Sequence, residues 1–296
     1  MYNTIYAQMA EHLRRDIESH LHSVGLLCRV FGRGKSHPSL QAKLDRNPGK
    51  YTVGGRLIQD AIGIRVVLYF TEDVQIVQNL LGDRYKWDTD SSTIDIPTDA
   101  TFSVTRHNLV YRLPEQHLKE AERLKGGLPI DTTFEVQLRT VLSEGWHEVE
   151  HDLRYKCQNH WSGHDDLSRT LNGVEATLET AEWTMRKLFT ELSYRHYKQK
   201  NWGAMLHTEL RMRVGPTLSD EIGDLFSRDA ECAKSMHRID RTKIIHSLAK
   251  LERAVPVTLD NIVHLWNVIS VHNAAINETT PSYLVDVFES DLGLRL

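Results

Sequence analysis

Residues 59–70, with the sequence QDAIGIRVVLYF, place an acidic residue directly ahead of an apolar run. We predict a buried strand over residues 62–70, because a short apolar run is typical of such a strand. Gly63 and Arg65 interrupt the run, which is also far too short to span a bilayer. The sequence therefore predicts a strand with a carboxylate, that of Asp60, at its entrance.

The segments on either side of this run mix helical and strand patterns up to about residue 160. Apolar residues at every fourth position from Ile5 to Leu21 predict a first helix, and residues 26–31 predict a short strand. Further along we predict a helix over residues 73–81 and a long polar loop over residues 83–105. Two strands over residues 108–113 and 132–138 and a helix over residues 140–156 follow. This mixture indicates an α+β fold in which helices flank a sheet.

Beyond Gly163 the pattern is helical, and no strand-like run stands out. Apolar residues keep a helical period at Leu171, Val174, Leu178, Ala181, Met185, Leu188 and Leu192. We therefore expect two domains: residues 1–160 with the sheet, and an all-helical C-terminal domain, residues 161–296, of unassigned role. Homo-oligomerisation through this helical region is one expectation.

The composition is that of a globular protein. The chain has 296 residues, of which 40% are hydrophobic and 26% charged, and its formal net charge is -4. Such a charge does not attract nucleic acid to the molecule as a whole. Three scattered cysteines argue for a reducing compartment, and no secretory signal is visible at the N-terminus. We expect a cytoplasmic protein that does not bind membranes.

A basic segment, residues 32–43 with the sequence GRGKSHPSLQAK, leaves the first strand and enters a helix that Pro38 opens. Backbone amides at a helix N-terminus, two lysines and an arginine can together hold several phosphates. Ser39 and Lys43 are four residues apart and share one helical face. The segment lacks the GxxxxGK[ST] spacing of a Walker A loop. Alone, it is equally compatible with a solvated basic turn.

Three further segments give the basic segment more weight. They are residues 59–67, already described, residues 134–140 (FEVQLRT) and residues 146–151 (WHEVEH). In this order the four segments resemble the synthetase domain of the RelA/SpoT family, the alarmone synthetases that move pyrophosphate from ATP to a nucleotide 3′-hydroxyl. The resemblance covers about residues 1–160. It implies a nucleotidyltransferase-like fold whose mixed sheet carries the catalytic acids.

The resemblance also implies roles for individual residues. Asp60 and Glu135 are expected to be the catalytic acids and to bind Mg²⁺, which Mn²⁺ could replace. The positions expected to bind ATP are Arg33, Lys35, Ser39, Lys43 and Arg65. The positions expected on the acceptor side are Phe102, His107, Gln137, Arg139 and His151. Arg65 could instead be a strand residue that reaches the edge of the sheet.

The residue types suit this chemistry without the family. Pyrophosphoryl transfer needs positive charges on the triphosphate, a metal that bridges phosphate oxygens, and carboxylates to hold the metal. A second carboxylate near the attacking hydroxyl can take its proton. On the other hand, Asp60 could simply cap a helix or turn, and Glu135 could face solvent on a half-exposed strand.

The acceptor loop departs from the family's pattern. The family's Gly-Tyr pair ahead of Ser-x-His corresponds to residues 102–107 (FSVTRH), where Ser103 stands in the place of the tyrosine that stacks on the acceptor base. The stacking ring is missing unless Phe102, Tyr111 or Trp87 supplies it. GDP or GTP is the default acceptor, and an adenine nucleotide or a tRNA 3′ end remain open.

Two readings from other classes also remain open. Residues 147–151 satisfy HExxH, the pattern of zinc hydrolases, but Glu150 places a charge inside it. The extended form fails, because Arg154 stands where a glycine belongs and Cys157 where a histidine belongs. A catalytically silent nucleotide-binding module is the other reading, although a pure binder has no need for both Asp60 and Glu135.

Overall fold

The computed structural model describes residues 2–95 and 107–295. The chain divides into two compact units, one of Met1–Ser19 with Cys28–Ala181 and one of His20–Leu27 with Glu182–Leu296. The first unit thus continues past residue 160 into the next helix. The functional boundary near residue 160 stays a prediction.

The first unit is built on a mixed sheet of five strands. These strands are β1 Cys28–Gly34, β2 Ile62–Leu68, β3 Trp87–Ile94, β4 His107–Arg112 and β5 Thr133–Thr140. Their order is β1-β2-β5-β4-β3, and β2 runs parallel to β5 while the other neighbours are antiparallel. The helices in this part of the chain are α1 Tyr2–Ser23, α2 His37–Arg46, α3 Asp73–Arg84, α4 Glu115–Leu124 and α5 Val141–Leu153. The predicted α+β fold, a mixed sheet with flanking helices, is confirmed.

Side chains alternate across the sheet and give it two different faces. One face is apolar and buried, and it includes Val66, Leu109, Tyr111, Phe134 and Val136. The register places the opposite set of residues on a second face, which we call the polar face: Arg33, Gly63, Arg65, Asn108, Val110, Glu135, Gln137 and Arg139. Five of the site residues that the sequence predicts lie on this face: Arg33, Arg65, Glu135, Gln137 and Arg139.

Helix α1 packs against the apolar side of β1 so closely that glycine is required there. A Cβ on Gly34 would lie 2.2 Å from the carbonyl carbon of Tyr6, and a Cβ on Gly32 would lie 2.8 Å from the carbonyl oxygen of Ala10. The glycines of the basic segment therefore have a structural role within β1. The segment becomes a loop only after Gly34.

The prediction of a loop over residues 83–105 is wrong for Trp87–Ile94, which form β3. This strand lies at the edge of the sheet and pairs only with β4. Its residues are exposed or half-buried throughout, so neither alternation nor an apolar run marks it in the sequence. The Lys/Glu-rich segment before β5, for which the sequence indicates no clear structure, forms α4.

The remaining described residues form helices and connecting turns and contain no strand. A short 3₁₀ segment, Tyr155–Trp161, follows α5. The helices after it are α6 Asp165–Lys198, α7 Trp202–Leu210, α8 Asp220–Arg228, α9 Ala230–His237, α10 Arg241–Lys250, α11 Leu259–Trp266, α12 Ala274–Thr279 and α13 Ser282–Leu292. The predicted all-helical C-terminal region is confirmed. Within residues 2–95 and 107–295, no helix combines the length and apolar character needed to cross a membrane.

Candidate active site

Asp60 lies between two lysines at the entrance to β2. Lys43 Nζ donates to both carboxylate oxygens, at 2.7 and 2.8 Å, and Lys35 Nζ donates to Oδ2. Burial alone would raise the pKa of Asp60, but the two ammonium groups outweigh it and hold that pKa below its usual range. One carboxylate thus faces two cations, which leaves a surplus of positive charge at this point.

Local structure places the two lysines side by side. The amide of Lys35 donates to the carbonyl of Ala61 at 2.8 Å and joins the end of β1 to the start of β2. Ser36 caps α2 by accepting from the amide of Ser39 at 3.3 Å, and Pro38 occupies the first turn. Lys43 follows one turn after Ser39 on the same face of α2.

Glu135 lies at the centre of the polar face. On β5 it is opposite Gly63 of β2 and Val110 of β4, and Gln137 Nε2 donates to its Oε2 at 3.1 Å. Burial raises the pKa of Glu135, and the negative charge of Asp60 raises it further, whereas Gln137 and the two lysines oppose the rise. Glu135 is therefore a carboxylate with raised proton affinity, within electrostatic reach of Asp60.

Helix α5 covers part of the polar face through ion pairs. Arg65 Nη1 donates to Glu144 Oε1 at 2.6 Å and also to Glu148 Oε1. Arg139 Nε lies 3.9 Å from the other oxygen of Glu144. Arg65 is thus held between the sheet and α5 and does not extend to the edge of the sheet.

Residues 32–160 match a family model described as a region found in RelA / SpoT proteins. This segment begins within β1 and ends after α5, so it contains Lys35, Lys43, Asp60 and Glu135. We call residues 32–160 the RelA/SpoT region, after the family model that they match.

Solved structures of alarmone synthetases resemble part of the chain. The small alarmone synthetase 1 of Bacillus subtilis is 22% identical over 62% of this chain and 92% of its own, with a TM-score of 0.46. The small alarmone synthetase 2 of the same organism is 19% identical over 64% and 96%, with a TM-score of 0.49. A GTP pyrophosphokinase family protein from Streptococcus pneumoniae is 19% identical over 62% and 88%, with a TM-score of 0.46. No curated protein matches the chain.

Most of the predicted site residues of the RelA/SpoT region lie on the polar face or beside it. The residues around the two acids are Lys35, Lys43, Asp60, Glu135 and Gln137. Arg65 and Arg139 lie beside them under α5, and Arg33 is exposed at the edge of the same face. Ser39 lies at the start of α2, where its hydroxyl is 2.9 Å from that of Ser36.

Two of the predicted acceptor residues lie elsewhere. His107 points to the opposite face of the sheet, where its Nε2 is 2.8 Å from Gln78 Oε1 of α3. His151 is exposed on α5, stacks on Tyr155 and lies 3.0 Å from Asp152. The structure does not bring these two histidines to Glu135. Phe102 lies outside the described residues.

The two rings that could replace the missing tyrosine also lie away from the polar face. Tyr111 is fully buried on the apolar face, where it stacks on Phe134 with ring centroids 5.6 Å apart. Trp87 pairs opposite Tyr111 in the sheet and therefore faces the same side. Neither ring can stack on a base bound near Glu135.

Three residues of the RelA/SpoT region become candidates only in the structure. Glu144 and Glu148 hold Arg65, although they are about eighty positions away in the sequence. Asn108 lies on the polar face directly opposite Gln137, and its buried Oδ1 has no hydrogen-bond partner among the described residues. Spacing could have indicated that Glu144 and Glu148 share a helical face, but no sequence signal indicates Asn108.

The HExxH pattern does not form a zinc site in the described residues. Burial, together with the smaller effect of the guanidinium groups of Arg139 and Arg65, lowers the pKa of His147 to about 3. Glu148 is engaged with Arg65. No group of three or more His, Cys, Asp or Glu side chains suited to a metal occurs in residues 2–95 and 107–295. The positive charges of Arg65 and Arg139 therefore oppose the binding of a zinc ion at His147.

The environment of His147 predicts acid sensitivity of the fold. Because its pKa is lower in the folded state than in the unfolded chain, the unfolded chain binds more protons as pH falls below about 6.5. In the wild type, the free energy of unfolding should therefore fall by up to about 1.4 kcal/mol for each pH unit below that value. His147→Gln should abolish this fall. Urea unfolding at pH 7.5 and pH 5 measures it, and His151→Gln is the exposed control. Equal pH dependence in wild type and His147→Gln would contradict the assignment.

Proposed function

We propose that the RelA/SpoT region is a magnesium-dependent pyrophosphokinase. It transfers pyrophosphate from ATP to the 3′-hydroxyl of a nucleotide, with GDP or GTP as the default acceptor. The observation that carries this proposal is the convergence of Lys35, Lys43 and Asp60 with Glu135 on the polar face. Such a transfer needs positive charges that bind the phosphates, which the two lysines provide. It also needs carboxylates with different roles, and the pKa of Asp60 is lowered whereas that of Glu135 is raised.

The two lysines supply the phosphate-binding charge. Both lysines donate to the carboxylate of Asp60, and the side chains of all three residues are about one quarter exposed. An entering triphosphate adds several negative charges, and Lys35 and Lys43 can donate to it while staying near Asp60. The backbone amides at the start of α2 face the same charge, and the exposed Arg33 can reach the nucleotide from the edge strand.

The two acids fit a magnesium ion that arrives with ATP. Asp60 and Glu135 offer carboxylate oxygens, and Mg²⁺ usually takes one or two carboxylates together with substrate phosphates and water. The raised pKa of Glu135 reflects in part the repulsion from Asp60, which a divalent cation held by these carboxylates would relieve. Mn²⁺ accepts the same oxygen ligands. The bound ion would neutralise charge on the phosphate oxygens.

Glu135 is suited to accept the proton of the acceptor hydroxyl. In the transfer, the 3′-oxygen bonds to the β-phosphorus of ATP, the bond from that phosphorus to the α–β bridging oxygen breaks, and AMP leaves. The proton of the hydroxyl goes to Glu135. A carboxylate of raised pKa holds a proton more readily than an ordinary glutamate. The donor amide of Gln137 orients the carboxylate for this task.

The acceptor is proposed to lie along β5 beyond Glu135. Gln137 is two residues further along the strand, about 7 Å away, and Asn108 lies opposite it. Arg139 follows after another two residues, with a buried Nη1 that has no hydrogen-bond partner among the described residues. An acceptor at this place could engage the free amide oxygen and the free guanidinium nitrogen. A guanine nucleotide is the default, and an adenine nucleotide or a tRNA end are the alternatives.

The helical part of the chain has no role in this proposal. We propose that it forms the separate domain expected from about residue 161, and that the protein acts in the cytoplasm. All three cysteines are free thiols, which supports a reducing compartment.

Removal of either lysine tests the proposal. Lys35→Ala and Lys43→Ala should each weaken ATP binding and turnover by about 10- to 100-fold, because each removes a charge-assisted bond to phosphate. Lys50→Ala is the matched control, since Lys50 is exposed and contacts the ring of Tyr51 rather than Asp60. Titration with ATP and steady-state turnover provide the two readouts. Unchanged values in both lysine variants would remove the basic segment from the site.

A further inference from the structure

Phe31 is an aromatic side chain that the fold exposes beside the polar face. It is 53% exposed on β1, although phenylalanine is among the residues most often buried. The close packing of α1 against Gly32 and Gly34 fixes its direction, because neighbouring residues of a strand point to opposite faces. Phe31 and Arg33 therefore project away from α1, on the side where Arg65 lies opposite Phe31.

The neighbours of Phe31 on its own face of β1 are two arginines. Arg29 and Arg33 lie two residues before and after it, and both are exposed. An aromatic ring offers its flat face to a nucleobase, and guanidinium groups beside the ring attract the phosphates that the base carries. This strand thus combines the two features of a surface that binds nucleotides.

The sheet surface between Phe31 and the phosphate-binding lysines is open. Gly63 of β2 lies opposite Arg33 and has no side chain that could cover the sheet. Apart from its neighbours in the chain, a Cβ built on Gly63 would meet one described atom within 4 Å, the carbonyl oxygen of Arg33 at 3.9 Å. A flat ligand can therefore approach the backbone of β2 between Arg33 and Glu135.

The spacing along β1 suits the length of a nucleotide. Phe31 lies four residues before Lys35, which is about 13 Å along an extended chain. An extended nucleoside triphosphate covers a comparable distance between its phosphates and its base. A triphosphate held by Lys35 and Lys43 can thus place its base on the ring of Phe31.

We propose that Phe31 stacks on the adenine ring of ATP and thereby holds the donor nucleotide in the site. This inference rests on the proposed function, in which the triphosphate of ATP lies at Lys35 and Lys43. The ring does not touch the reacting atoms. It contributes to the binding of ATP and leaves the chemical step to the two acids.

The order of the strands assigns Phe31 to the donor and not to the acceptor. The proposed acceptor lies at β5 and β4, and Asn108 on β4 is three strands from Phe31, about 14 Å across the sheet. One base cannot contact both residues. Since the phosphate that is transferred lies between the lysines and Glu135, the adenosine extends toward β1 and the acceptor toward β4.

Binding of ATP and of inorganic tripolyphosphate by the full chain, both with Mg²⁺, tests the inference. Phe31→Ala should weaken ATP binding by about 5- to 100-fold, the usual effect of losing one aromatic stack on a base. It should bind tripolyphosphate as wild type does, because tripolyphosphate has no base. Phe31→Trp keeps a ring and should retain the affinity for ATP. Tyr283→Ala, an exposed aromatic residue on α13, is the matched control and should change neither affinity.

Steady-state kinetics separate the donor from the acceptor. Phe31→Ala should raise the KM for ATP, while kcat and the KM for the acceptor at saturating ATP stay within a few-fold of wild type. This is the pattern expected when an interaction equally strong in the ground state and the transition state is lost. A raised KM for the acceptor with an unchanged KM for ATP would place the ring on the acceptor side and overturn the inference.

The binding experiment distinguishes failure of this inference from failure of the proposed function. Equal ATP affinity in wild type and Phe31→Ala would overturn the stack and leave the phosphate site intact. Equal losses of ATP and tripolyphosphate binding in Phe31→Ala would also overturn it, because the substitution would then act on the lysines. Wild-type protein that binds neither ligand would contradict the proposed function itself. Thermal unfolding of Phe31→Ala should match wild type, since the ring is exposed.

Discussion

Asp60→Asn is expected to reduce pyrophosphate transfer by at least about 1,000-fold, because it removes the charge proposed to hold the metal ion against the phosphates. Asparagine keeps the size of the side chain but offers one neutral oxygen in place of two charged ones. The loss should appear in kcat, measured with saturating ATP and acceptor. Asp45→Asn is the control, since Asp45 is an exposed acid on α2 whose contact is with Gln41.

The same substitution should also lower stability. The negative charge of Asp60 balances part of the positive charge of the two ammonium groups beside it. Asp60→Asn leaves Lys35 and Lys43 close together without this anion, so that they repel each other. We expect the free energy of unfolding to fall by about 1–2 kcal/mol at pH 7 and low salt, with part of the loss recovered by added salt or phosphate. Chemical unfolding in two buffers measures this. Transfer at the wild-type rate would exclude Asp60 from the mechanism.

Glu135→Gln should stop transfer while ATP still binds. The amide cannot take a proton from the acceptor hydroxyl, and general-base removal typically costs about 100- to 10,000-fold in rate. Because Lys35 and Lys43 are unchanged, we expect the affinity for ATP to stay within a few-fold of wild type. Glu122→Gln, an exposed change on α4, is the control for the general effect of losing a glutamate.

Glu135→Gln should also differ from Asp60→Asn in stability. Burial raises the pKa of Glu135, so its ionised form is unfavourable in the folded protein at neutral pH. A neutral isostere removes that cost, and Gln137 can still donate to its carbonyl oxygen. The variant should therefore unfold at the same or a higher temperature than wild type. A clear loss of stability would indicate that the charge of Glu135 stabilises the fold.

The sequence predicts the central parts of the fold and site for identifiable reasons. The apolar run of β2 and the alternation of β5 mark two strands, and the acids beside and within them stand out. The basic segment predicts Lys35 and Lys43 as one group. Their convergence on Asp60 depends on the pairing of β1 with β2 and on the orientation of α2. Neither feature can be predicted from local sequence patterns.

The parts that the sequence does not predict depend on register and on distant contacts. Arg65 on strand β2 pairs with Glu144 and Glu148 on helix α5, which are distant in the sequence. Asn108 lies opposite Gln137 only because β4 and β5 pair in one particular register. The same register turns His107 to the other face. Edge strand β3 has no apolar face to mark it.

Product analysis with ATP labelled in both the β- and γ-phosphates tests the central claim most directly. The protein should be incubated with labelled ATP, Mg²⁺ and, in turn, GDP, GTP, ADP and tRNA. We predict one acceptor that gains both labelled phosphates at its 3′-oxygen, with an equal amount of AMP released and neither product formed by Glu135→Gln. Release of ADP with transfer of the γ-phosphate alone, or no labelled product with any acceptor, would contradict the account.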